Sequence, residues 1–254
     1  MNDSIHLLLK ELRLPAFVRH YETLWQTAVE KGWSHTDYLA MLCEYEISDR
    51  YQRRTQKWIR EAQLAPGKTF TELKENKLGR ENKTLLARLR QNLDWTHHAD
   101  NVLLIGPSGT GKTHIASALG YQLIEQGVRC KLFPAIALVQ QLQQAKRDLD
   151  LMGAMTRLDK YRVIIIDDIG YVKKTDAETH VLFEFIAHRY EAGSLIITAN
   201  QPFSSWDQIF PDSMMTVAAI DRLIHHATII ELKGESYRKQ QQLNKVKSST
   251  KEIA

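Results

Sequence analysis

Gly106, Pro107, Ser108, Gly109, Thr110, Gly111, Lys112 and Thr113 form one run with the spacing G-x-x-x-x-G-K-[ST]. Each residue type has a chemical reason to be there. Glycines let backbone N–H groups turn inward around phosphate oxygens, and a helix N-terminus behind them adds partial positive charge. Lys112 would reach the β- and γ-phosphates of a nucleotide, and the Thr113 hydroxyl would ligate Mg²⁺. A second pattern lies downstream in "RVIIIDDIG", Arg162 to Gly170, where an apolar run ends in Asp167 and Asp168. Two adjacent like charges at the end of an apolar strand need a cation. Mg²⁺ beside Thr113, helped by Lys112, supplies it, which makes Asp167 the second metal ligand.

The order Asp167-Asp168-Ile169-Gly170 also fits the D-x-x-G switch of GTPases. None of the Asn-Lys pairs, at 76–77, 82–83 and 244–245, carries Asp two places on, so a guanine reader is missing and ATP is the expected nucleotide. "SLIITAN" adds a strand that ends in polar Asn200. In P-loop ATPases with an additional strand, that strand inserts between the phosphate-loop strand and the Asp167 strand. Asn200 then positions the attacking water, and Asp168 is the candidate to polarise it. Arg222, on a helix before the last strand, is a candidate arginine finger acting in trans on a neighbouring subunit, a contribution worth ~10³–10⁵ in rate. The adjacent His225 and His226 would point about 100° apart on a helix. With no partner set evident beside them, the sequence argues against a metal there.

These residues need a parallel sheet to hold them. Strands are expected at 101–105, 128–133, 162–166, 194–198 and 227–232, alternating with helices near 112–126, 135–149, 175–191 and 216–226. The first ~64 residues read as helices alone: Pro15 suits a first helical position, Gly32 a stop, and Ser34 with Asp37 a following N-cap. "APGKT", Ala65 to Thr69, breaks that pattern. The expected organisation is a helical domain over 1–66, an ATPase domain over 67–235 and a basic polar tail over 236–254.

Charge is unevenly spread over a chain of net +4: residues 50–90 carry 12 Lys/Arg against 4 Asp/Glu, whereas residues 1–49 carry 4 against 8. On a helix, Arg50, Arg53, Arg54, Lys57 and Arg60 fall within an arc of about 120°. No acidic i+4 partner is expected to neutralise this stripe, and Lys74, Lys77, Arg80 and Lys83 extend it. The stripe is the candidate surface for duplex DNA, read through phosphates and not through sequence. Two cysteines outside any metal-type pair and no apolar run near the ~20 residues of a membrane span point to a cytoplasmic protein.

Taken together, "LLIGPSGTGKTHIASALG", "IIIDDIGY", "RYEAGSLIITANQPFSSW" and "AAIDRLIHHATIIELKGESYR" resemble the IstB-like proteins. These are bacterial insertion-sequence ATP-binding helpers of transposition, related to the helicase loader DnaC. The resemblance implies an AAA+ fold with a five-stranded parallel sheet, a helical N-terminal domain and no C-terminal lid. It also implies ATP-dependent homo-oligomerisation on duplex DNA, in a ring or spiral, and recruitment of a partner transposase with target-site selection. Arg222 becomes the inter-subunit finger, while Tyr237 and Arg238 of "GESYR" match a signature without an assigned role. The AAA+ pattern most often has Glu where this chain has Asp168, one methylene shorter. A DnaC-like loader, gripping a helicase through its helical domain, is the alternative reading.

Overall fold

A computed structural model describes residues 2–74, 78–170, 175–202, 205–206 and 213–233. Lys77, Tyr237, Arg238 and the tail over 236–254 lie outside the described residues. The expectation that no lid follows the sheet falls there too. The chain forms two compact units, Met1–Trp58 and Ile59–Ala254, which divide inside one long helix.

The first unit holds α1 (Asn2–Glu11), α2 (Pro15–Lys31) and most of α3 (His35–Ala62). Pro15 opens α2, where a missing N–H costs nothing. Gly32 ends it at φ 64°, a conformation only glycine adopts without penalty. Ser34 and Asp37 then cap α3 reciprocally, with Ser34 Oγ donating to Asp37 Oδ2 at 2.7 Å and accepting from Asp37 N at 3.1 Å. Those bonds hold the Asp37 carboxyl below its ordinary pKa. A buried acid joins α2 to α3: Glu46 accepts the Ala16 N–H at 2.8 Å, satisfying one of the unpaired donors at the start of α2.

In the second unit, among the described residues, α4 (Arg80–Gln91) and the short α5 (Asp94–His97) precede five parallel strands. These are β1 (Asn101–Ile105), β2 (Cys130–Pro134), β3 (Val163–Asp167), β4 (Ser194–Ala199) and β5 (Ala227–Glu231). Between them run α6 (Lys112–Glu125), α7 (Ala135–Arg147), α8 (Leu151–Leu158), α9 (Asp176–Arg189) and α10 (Ser213–Ile224). The expected strands and helices are all present, with ends shifted by a few residues. The spatial order is β2-β3-β4-β1-β5, so β4 does insert between β1 and β3.

Continuous apolar runs occupy the three central strands because helices cover both faces. The edge strands carry Lys131 and Glu231. Alternation sorts the side chains: Leu103, Ile164, Ile166, Leu195 and Ile197 join the core under α7, α8, α9 and α10. Ile165 takes the other face, against α6, where a Cβ on Gly120 would come within 3.0 Å of it. Asp167 and Thr198 continue that second face.

Candidate functional site

The register fixes the site. Ile105 pairs with Ala199, and Ile166 with Ile197, so the three central strands end at nearly the same level. Gly106, Asp167, Asp168 and Asn200 therefore meet at the C-terminal edge of the sheet, where parallel α/β folds bind ligands.

The run from Gly106 to Thr113 leaves β1 and enters α6 at Lys112. Gly106, Gly109 and Gly111 all have positive φ, of 149°, 81° and 103°. At Gly106 the requirement is also spatial, since a Cβ would lie 2.2 Å from the Leu232 carbonyl oxygen. Lys112 is buried, with Nζ donating to the carbonyls of Gly106 at 2.7 Å and Pro107 at 2.8 Å. Its ammonium thus lies against the loop it closes. Thr110 Oγ1 donates to the Pro107 carbonyl at 2.9 Å, pinning the loop from the other side.

Thr113, in the first turn of α6, donates to Asp167 at 2.9 Å (Oδ1) and 3.1 Å (Oδ2). A hydroxyl and a carboxylate brought together as an oxygen-only pair suit Mg²⁺, which binds through one or two carboxylates plus nucleotide phosphates. Asp168 has φ 58°, an uncommon conformation for a non-glycine residue and one that recurs at functional sites. Asn200 is half-buried directly after β4, and its chain neighbour Ala199 accepts the Gly106 N–H at 3.2 Å.

Sequence reasoning missed Thr198. It is fully buried in β4, donates to Asp167 Oδ1 at 2.7 Å and accepts the Asp168 N–H at 2.8 Å. Its carbonyl accepts the Ile169 N–H at 3.0 Å. One residue therefore orients the first carboxylate and fixes the backbone of the second. The available signal was a lone hydroxyl inside "SLIITAN", two places before Asn200 and so on the same strand face as the Asp167 it meets.

Arg222 is half-buried in the last turn of α10, donating to the Ala218 carbonyl at 3.0 Å, with its guanidinium 5.4 Å from the Phe183 ring centre. Buried Asn101, the first residue of β1, donates to the Leu223 carbonyl at 3.1 Å and through its backbone to the His226 carbonyl at 2.7 Å. The end of α10 thus lies at the N-terminal edge of the sheet. A five-residue strand of roughly 13 Å separates it from the Gly106 loop of the same subunit.

The basic stripe is exposed at Arg50, Arg53, Arg54, Lys57 and Arg60 on α3, the last of these beyond the division between units. One expectation about it is corrected: acids do neutralise part of it. Arg50 Nε pairs with Glu46 at 2.7 Å and Arg53 Nε with Asp49 at 2.8 Å. The acid stands four residues before the cation, the favoured order on a helix. Arg50 also donates to the Arg13 carbonyl at 3.0 Å, so it helps hold the helices together. Arg54 lies over the rings of Trp58 and Tyr51, at 5.2 and 5.5 Å.

A glycine loop between β1 and α6, a carboxylate at the end of β3 and a strand inserted between β1 and β3 define a P-loop ATPase fold of the AAA+ type. Solved structures agree: the DnaI protein superposes with a TM-score of 0.55 at 18% identity, covering 71% of this chain and 92% of that one. AMPPCP-bound DnaA from Aquifex aeolicus also gives 0.55, at 16% identity, covering 73% and 56%. At such identities the likeness is one of fold. The chain belongs to the IstB-like ATP binding protein family, whose model matches residues 7–245. An insertion sequence ATP-binding protein of Sinorhizobium fredii is 43% identical over 237 residues, covering 92% of this chain and 78% of that protein. The IS5376 ATP-binding protein of Geobacillus stearothermophilus is 33% identical over 238 residues, 94% of each.

Thr198→Val keeps the side-chain shape and deletes both hydroxyl contacts, leaving the Asp168 N–H without its partner. The expected loss is about 1–3 kcal/mol in urea unfolding, with Thr198→Ser close to the parent. A valine variant as stable as the parent would remove Thr198 from this role.

Proposed function

We propose that the protein is a magnesium-dependent ATPase that assembles with copies of itself on duplex DNA and brings a partner transposase to the target. Membership in a family of insertion-sequence ATP-binding proteins supports the transposition setting. The observation that carries the assembly is the position of Arg222. It stands at the opposite edge of the sheet from its own subunit's phosphate loop, so a nucleotide phosphate that it meets would belong to another subunit.

In this reading the backbone from Gly106 to Gly111, with Pro107, Ser108, Gly109 and Thr110 between, cradles the phosphates, and Lys112 swings onto the β- and γ-oxygens. Thr113 and Asp167 would hold Mg²⁺, which would supply positive charge to offset that of the transferring phosphoryl group. Asn200 orients a water molecule and Asp168 accepts its proton. The two backbone bonds to Thr198 hold Asp168 in its left-handed conformation, setting where the shorter carboxylate projects. Arg222 from a neighbour offsets the charge that develops in the transition state. Arg50, Arg53, Arg54, Lys57 and Arg60 are the phosphate contacts to DNA, with the shares of Arg50 and Arg53 reduced by their pairing to Glu46 and Asp49. No helix among the described residues is long and apolar enough to cross a membrane, and we place the reaction in the bacterial cytoplasm.

Mixing two inactive variants tests the shared site. Arg222→Ala binds nucleotide but lacks the finger, and Lys112→Ala keeps the finger but loses its own phosphates. Each alone is expected to fall ~10³-fold or more in turnover, and the mixture to regain part of it. An Arg222→Ala protein with normal turnover, or a mixture no better than its parts, contradicts the proposal. For the DNA surface, Arg54→Ala with Lys57→Ala is expected to lower the slope of log affinity against log salt by about 2. Arg50→Ala should change that slope little and instead destabilise the helical unit. An unchanged slope in the double variant would place the DNA elsewhere.

A further inference from the structure

We propose that Glu191, His225 and His226 form a binding site for a divalent transition metal of the Zn²⁺ class. His225 and His226 do not lie on a helix, where they would point apart: α10 ends at Ile224, and the two form the turn that leads into β5. There the two rings meet edge to face, with centres 4.1 Å apart and planes at 61°. The third ligand comes from the end of another helix. Glu191 follows α9 in the left-handed conformation, at φ 56°. One ligand atom from each of the three residues lies within 4.8 Å of the others, a grouping of this kind found once among the described residues.

Two imidazole nitrogens and one carboxylate oxygen are a Zn²⁺ donor set, with a position left open for water or another group. Mg²⁺ prefers all-oxygen surroundings, so this site differs in kind from the Thr113–Asp167 pair. A neighbouring contact supports the assignment. The Tyr190 hydroxyl lies 3.0 Å from His225 Nδ1, the kind of bond that fixes the ring of a metal-bound histidine while Nε2 takes the ion. All three ligands are exposed, so an ion can enter from solvent.

The site sits where it can matter. An ion there would tie the end of α9 to the turn after α10, two helices that pack together. Arg222 lies three residues before His225, over Phe183 of α9, so the clamp would limit movement of the proposed finger. That consequence rests on the proposed function, whereas the binding does not.

The test is a titration of untagged, nucleotide-free full-length protein with Co²⁺, read by its visible d–d absorption and then competed with Zn²⁺ or Mg²⁺. One Co²⁺ per chain is expected, displaced by Zn²⁺ and not by Mg²⁺. Glu191→Gln and the double variant His225→Ala, His226→Ala should abolish the signal, and Tyr190→Phe should weaken binding about tenfold. Asp167→Asn should leave it unchanged, which separates this site from the nucleotide site. Circular dichroism checks that each variant is folded. Absence of a Co²⁺ spectrum, or one that survives in folded Glu191→Gln and in the double variant, overturns the proposal.

Discussion

The candidate site depends on one carboxylate at the end of a buried strand. Asp167 follows four apolar residues of β3 and is met by two hydroxyls, Thr113 from the first turn of α6 and Thr198 from β4. A charge in that position is tolerable only if donors satisfy it. Three elements far apart in the chain must therefore arrive at one point: the loop after β1, the end of β3 and the end of β4. The strand order and register achieve this, because β4 lies between β1 and β3 and all three end level. The same contacts bring Lys112, Asp168 and Asn200 to the edge where a nucleotide would bind.

A similar rule shapes the helical unit. Glu46 is 5% exposed, and its carboxylate is met by a helix N-terminus and by arginine. This shared use of charge has a consequence for the basic stripe. Arg50 also holds helices together and Arg53 is paired with acids of its own helix, so the net field available to a polyanion is weaker than a helical projection implies. Arg54 instead rests on aromatic faces, which orient a guanidinium without neutralising it.

Much of the fold and the site was legible because it is encoded locally. The phosphate loop, the apolar run into Asp167 and the strand ending at Asn200 each announce themselves within ten residues. What was missed depends on contacts between distant segments. Thr198 looks like one polar residue in a strand until the register places it beside Asp167. Glu46 and Asp49 lie four residues before Arg50 and Arg53, outside the segment 50–60 over which the stripe is projected. The histidine pair lies in a turn and not on a helix because α10 ends at Ile224, two residues before the end expected at 226. The helices α4 and α8 went unassigned for different reasons. The first is dense in charge with a thin apolar stripe of Leu86 and Leu89, and the second has only eight residues.

In the proposed function Asp167, held by Thr113 and Thr198, is the metal-binding carboxylate of an ATP site. Nucleotide affinity measured across a Mg²⁺ titration, for the parent protein and for Asp167→Asn, tests it most directly. ATP binding is expected to tighten with Mg²⁺ in the parent and to become nearly independent of Mg²⁺ in the variant. Equal Mg²⁺ dependence in the two proteins would contradict it.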